Sequence, residues 1–168
     1  MRETAEDREW LDALLARSME RAGGFLRASF EMPQKSLSAA QVITHLQGRR
    51  MVALATVTAR DEPRVAPIVA HFYRGRFCIP TVATSARAKH VLQRPAVSLT
   101  YFEGTTLAIL VHGAASLIAP AHPDFTTLEE LQVASGGSSA TTWGEGIYLR
   151  IEPDVMYTYA ENTAAYPS

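Results

Sequence analysis

From Arg49 onward the chain adopts the hydrophobic period of strands and keeps it through six short runs, with no intervening segment long enough for the repeated long helices of a doubly wound parallel sheet. The runs are residues 51–57, 65–72, 77–81, 97–102, 106–118 and 147–159. Turn residues separate them: Arg60-Asp61-Glu62-Pro63, Tyr73-Arg74-Gly75-Arg76 and Glu103-Gly104 make hairpins of successive pairs. Short helices fit only at the crossings. One spans 85–94 and is stopped by Pro95, and another spans 127–134, with Thr127 and Glu130 at its start and Gly136 at its end. The pattern predicts a mainly β fold with short helices, of the α+β kind, built as a six-stranded antiparallel barrel.

Two helices precede the strands. Thr4-x-x-Asp7 caps the first, which gathers Trp10, Leu11, Leu14, Leu15 and Met19 on one face and stops at Gly23-Gly24. Ser38-x-x-Gln41 opens a second, running to Gln47 with Gly48 as its stop. The division that follows is an N-terminal helical extension over 1–37 and a barrel domain over 38–168.

With 168 residues, 47% hydrophobic and 20% charged, the chain supports one core without staples. Its single cysteine, Cys78, closes no intrachain disulfide and sits in an apolar run, which predicts a buried, inert thiol. The start, Met1-Arg2-Glu3-Thr4-Ala5-Glu6-Asp7, is acidic and carries no secretory signal, and the longest uncharged apolar stretch, 107–121, is too short to span a membrane. The expectation is a soluble, cytoplasmic protein with no membrane partner.

Charge is divided unevenly. Residues 49–94 carry nine cations against Asp61 and Glu62, a net +7, whereas 95–168 carry Arg150 against eight acids. Such a division marks an anion-binding half, two mutually complementary faces, or simply a solvated arginine-rich surface. Nucleic acid is not expected, because the whole chain is at −1 and shows no helix-turn-helix or zinc-finger spacing. The five histidines have no metal-site spacing, no metal is expected, and no Ser-His-Asp order points to hydrolysis.

The most informative local chemistry lies at Thr84-Ser85-Ala86-Arg87-Ala88-Lys89. The first turn of a helix exposes N–H groups and partial positive charge, so two cations there are misplaced unless an anion is bound. Ser85, Arg87 and the free amides then form a phosphate cradle. The alternative is a plain Ser85 cap with both cations solvated.

In order along the chain, Arg50-Met51-Val52-Ala53-Leu54-Ala55-Thr56-Val57, Pro63-x-x-x-Pro67, Ser85-x-Arg87, Pro95-x-Val97-Ser98-Leu99, Val111-His112-Gly113-Ala114-Ala115 and Ile151-x-Pro153-x-Val155 resemble the pyridoxamine 5′-phosphate oxidase-like family of FMN-binding split β-barrels, over about 38–159. The resemblance implies an FMN-dependent oxidoreductase with the cofactor at the interface of a homodimer. Its phosphate-gripping lysine falls on Arg87, with Lys89 as a second cation and Arg50 as a further contact. Alternatively, Arg50 is a surface arginine at a strand end. Thr81 and Ser85 would add hydroxyls. Met51, Val52, Ala53, Leu54 and Pro67 would border the flavin ring, and Trp143 either covers a ring bound by the partner or packs on the barrel as a loop aromatic. Members that oxidise pyridoxamine phosphate carry an Arg and His pair near the last strand. Here Leu149-Arg150-Ile151-Glu152-Pro153 has no His, which argues against that substrate and leaves the catalytic residues and substrate unassigned. The family also includes deazaflavin-coenzyme reductases and non-catalytic flavin or haem binders, and the +7 segment fits either cofactor.

Overall fold

The computed structural model describes residues 3–168, so Met1 and Arg2, where the expected acidic leader begins, lie outside the described residues. Its strands are β1 (Arg49–Val57), β2 (Pro63–Tyr73), β3 (Arg76–Val82), β4 (Ala96–Glu103), β5 (Leu107–Ile118) and β6 (Gly146–Ala160). The helices are α1 (Ala5–Arg21), α2 (Gly24–Ser29), α3 (Ala39–His45), α4 (Ala86–Gln93) and α5 (Phe125–Ala134). Every strand pair is antiparallel and the sheet closes in the order β1-β2-β3-β6-β5-β4, the mainly β, six-stranded barrel expected from the alternating runs.

Strand alternation sets what faces inward. In β1, Val52, Leu54 and Thr56 are buried while Met51 is 59% exposed, as a two-residue period requires. The interior is closed by Phe77, Ile79, Leu107, Ile109, Leu149 and their neighbours in one continuous core. Cys78 is fully buried and burial lifts its thiol pKa to about 12, so the inert reading holds.

The N-terminal helix joins this core. Thr4 and Asp7 form a reciprocal capping box, and Leu11, Leu14 and Leu15 pack with the barrel's own residues. Ser18 Oγ donates to the Leu14 carbonyl at 2.7 Å and accepts from Met156 N at 2.9 Å, stitching α1 to β6. Gly23 caps the short α2, which the sequence did not announce. Helix α3 carries the expected Ser38–Gln41 box.

Helix α5 begins at Phe125, two residues before the expected start. Asp124 occupies the cap position without a side-chain cap bond, because its carboxylate faces Tyr73, Arg74 and Arg150 at 3.3–3.4 Å instead. Thr127 is inside the helix, not its cap.

One pairing is shortened. Strands β2 and β3 share only His71↔Cys78, Phe72↔Phe77 and Tyr73↔Arg76, after which β3 turns to pair with β6 from Cys78 to Val82. The two strands splay, and a gap opens between the first part of β2 and the end of β3.

The β5–β6 ladder carries a bulge at His112/Gly113. A Cβ on Gly113 would lie 2.1 Å from the Glu152 carbonyl oxygen, a backbone atom with no room to move. Gly113→Ala is therefore expected to destabilise the fold by about 1–3 kcal/mol, read as a lower thermal midpoint; an unchanged midpoint would show that the ladder yields freely there.

Candidate functional site

The gap between β2 and β3 is a cleft of about 450 Å³. Ile68 and Val69 of β2 form one side, Pro80, Thr81 and Val82 of β3 the other, and Trp143 with residues 136–138 forms a rim. Arg49 and Arg87 supply its positive charge. Because β2 lacks a β3 partner above His71, its backbone groups on that edge are available to a ligand.

Arg87 also lines a second cleft of about 510 Å³, with Arg64, Thr56, Ser85 and His90 among its walls. This is the polar chamber. Ser85 caps α4 by accepting from Ala88 N at 3.2 Å, and Thr81 Oγ1 donates to Ser85 Oγ at 3.1 Å. Thr56 Oγ1 and His90 Nδ1 are 2.9 Å apart, and Arg64 pairs with Glu62 at 2.6 Å. Two guanidinium groups, hydroxyls and the N-terminal turn of α4 converge on one volume, an arrangement suited to a phosphate-type anion.

The candidate residues therefore separate into groups. Thr81, Arg87 and Trp143 share the first cleft, and Leu54, Ser85 and Arg87 the second. Met51, Val52, Ala53 and Pro67 lie on an apolar hollow of about 310 Å³ closed by Phe102. There β1 is paired with β2 throughout, whereas its pairing with β4 covers only Ala53–Ala55, so of the three β1 residues on the hollow only Ala53 is bonded on both edges. Lys89 points elsewhere: two residues from Arg87 on a helix, it faces a neighbouring open cleft with Arg60 and Gln93. Arg50 is engaged with α3, donating through Nε at 3.1 Å and through Nη2 to the His45 carbonyl. It serves as a cap for that helix. Trp143 lines this chain's own cleft, 47% exposed, with Nε1 donating to Ser138 Oγ at 2.9 Å.

Arg49, Arg64 and Gln132 are members of the site that the sequence reading passed over. Strand period offers the signal for Arg49: if Val52, Leu54 and Thr56 point inward, Arg50 goes with them and Arg49 faces out. Near the last strand, Arg150 is bound by Glu152 at 2.5 Å and Asp124 at 3.3 Å, so it is consumed in an internal ion cluster.

The rim is held by α5. Gln132 Oε1 accepts from His71 Nε2 at 2.8 Å, and its Nε2 donates to the Ser138 carbonyl at 3.1 Å. Glu129 accepts from Ser139 Oγ, from Ala140 N at 3.1 Å and from Tyr148 O–H at 2.6 Å. Burial opposes ionisation of Glu129, yet these hydrogen bonds together hold its pKa below the usual carboxylate value. The glycine- and serine-rich stretch 135–139 is thus fastened at several points.

A model of the pyridoxamine 5′-phosphate oxidase family matches residues 38–145. No curated protein matches the sequence. Among solved structures, the conserved hypothetical protein Rv2991 from Mycobacterium tuberculosis superposes with a TM-score of 0.66 at 17% identity, covering 81% of this chain and 92% of that one. An F420 reductase gives 0.55 at 14% identity, with 66% and 91% covered. General Stress Protein 26 from Bacillus anthracis gives 0.56 at 19%, with 71% and 90% covered. At these identities the likeness is one of fold.

Burial lowers the pKa of His71 from 6.5, against a smaller upward pull from the Gln132 bond and with a still smaller downward push from the charge of Arg49. The unfolded chain then takes up a proton first as pH falls, so stability is intact above about pH 6.5 and declines below it. The thermal midpoint should fall between pH 7 and 5.5, and His71→Gln should flatten that fall; equal slopes in the two proteins would remove His71 as the cause.

Proposed function

The chain belongs to the pyridoxamine 5′-phosphate oxidase family, and on that premise we propose that it is an oxidoreductase binding a flavin-type cofactor, FMN in the first reading, with a substrate other than pyridoxamine phosphate. One observation carries the reading: Arg87 stands at the junction of two clefts, one with Ile68, Val69 and Trp143 on its walls beside Arg49, the other with the hydroxyls of Thr56 and Ser85 beside Arg64. A planar ring joined to a phosphate by a short chain has that division of character. Arg87, Arg64 and Ser85 would hold the phosphate, and Ile68, Val69 and Trp143 would flank the ring, with the open edge of β2 offering backbone hydrogen bonds. When bound, a flavin supplies the electron transfer itself, so no acid–base pair is demanded of the chain. The protein's part is to orient the ring, fix the anionic tail and exclude water.

The departure at Arg150 supports the exclusion of pyridoxamine phosphate, since that guanidinium is already paired twice. A deazaflavin coenzyme is the second reading. It is favoured by Arg60 and Lys89, which line the cleft next to the anion chamber and form no ion pair among the described residues. A ligand with a longer anionic tail would reach them.

We also infer a homodimer. Met51, Val65 and Phe102 are 59%, 71% and 58% exposed around one apolar hollow on the outer face of the sheet, and such a patch is what a second copy would cover. A symmetric dimer would place this face close to both copies' clefts, because Val65 borders the hollow and the anion chamber alike.

Arg87→Ala should raise the Kd for FMN at least tenfold, about 1.4 kcal/mol, in a titration followed by flavin absorbance, and Arg87→Lys should recover most of the loss. Unchanged affinity in the alanine variant would refute the phosphate assignment. Phe102→Glu should convert the dimer to a folded monomer by light scattering, whereas a wild-type protein already monomeric would refute the interface.

A further inference from the structure

We propose that Gln132 is a positioning residue that, anchored on His71, fixes the Trp143 wall of the first cleft and so sets its width for a flat aromatic ligand. The statement rests on the reading of that cleft as the ring slot, but its geometric part stands without it.

Gln132 is 2% exposed on α5, and a buried primary amide requires partners for both its donor and its acceptor side. It has them on two different elements. Its oxygen meets His71 Nε2 at 2.8 Å, itself 2% exposed on β2, and its Nε2 meets the Ser138 carbonyl at 3.1 Å. The Gln132 main-chain carbonyl accepts from Gly137 N at 2.9 Å and from Ser135 Oγ at 3.0 Å. One residue thus binds the sheet on one side and the loop on the other.

The chain of contacts continues into the cleft. Ser138 Oγ accepts from Trp143 Nε1 at 2.9 Å, so the indole is tied through Ser138 and Gln132 to a buried histidine on the opposite wall. Glu129, one turn earlier on the same face of α5, clamps Ser139 and Ala140 and so holds the loop's other end. The fit is close: a Cβ on Gly137 would fall 2.3 Å from Gln132 Nε2, so a larger residue there would have to displace the Gln132 amide. An apolar side chain at 132 would fill the core equally well but could not hold Ser138. The amide's distinctive effect is therefore on loop position, and the loop carries the aromatic that faces Ile68 and Val69.

The test uses full-length protein carrying Trp10→Phe, which leaves Trp143 as the single tryptophan. Without ligand, adding Gln132→Met should at least double acrylamide quenching of Trp143 and shift its emission to the red, while the cooperative melt persists. With FMN as probe, the same substitution should weaken binding at least fivefold, and that loss should vanish when Trp143→Leu is also present, because the amide acts through the indole. Unchanged quenching, or an equal loss of FMN affinity in the Trp143→Leu background, would overturn the proposal. If Gln132→Met fails to fold, Ser138→Ala removes only the hydroxyl link and must move quenching in the same direction; no movement overturns it. A wild-type protein that does not bind FMN would instead defeat the functional reading and the ring-slot clause, with the quenching experiment still deciding whether Gln132 positions Trp143.

Discussion

A ring of six antiparallel strands in the order β1-β2-β3-β6-β5-β4 cannot be closed by hairpins alone, because β3 and β4 follow one another in sequence yet stand on opposite sides of the ring. The chain must cross the end of the barrel between them, and α4 is that crossing. Ser85 caps its start, and Pro95 follows its end, so its length is fixed within a residue or two. The crossing carries Arg87 to the place where β2 and β3 have parted. The chain between β5 and β6 then brings α5 to the other side of the same gap, where Gln132 reaches His71. Closure of the barrel, more than any single contact, assembles the site.

Electrostatics follows the same layout. At the far end of β2, Arg74, Arg76 and Arg150 are matched by Asp7, Asp124 and Glu152 in a mutually satisfied cluster that also ties α1 to the barrel. At the cleft end, Arg64 is paired with Glu62 and Arg94 with Asp61. Among the described residues, Arg49, Arg60, Arg87 and Lys89 form no ion pair, and each of the four lines a cleft. The uneven charge of the sequence is therefore matched by complementary segments at one end, and at the other it leaves four cations that line clefts.

The strands and the capped helices were legible because their signals are local. Alternation in β1, the reciprocal boxes at Thr4–Asp7 and Ser38–Gln41, and the stop at Pro95 depend on residues a few positions apart. The start of α5 was not legible, since Asp124 gives its carboxylate to Arg150 of β6, Arg74 of the turn between β2 and β3 and Tyr73 of β2 rather than to its own helix. The site shows the same split. Arg87 was singled out by the oddity of a cation in a helix's first turn, and the fold places it on both clefts. Arg50 was chosen over Arg49 although the two-residue period separates them, and Arg50 proves to cap α3. Gln132 had no local mark, for its importance comes from His71, sixty-one residues away.

The proposed site grips an anionic tail at Arg87 and holds a ring in the slot beside it. The most direct measurement compares equilibrium binding of FMN with that of riboflavin, which has the same ring and lacks the phosphate, to the purified protein at one ionic strength. FMN should bind at least tenfold more tightly, and that advantage should shrink as salt is raised. Equal affinity for the two, or binding of neither, would contradict it.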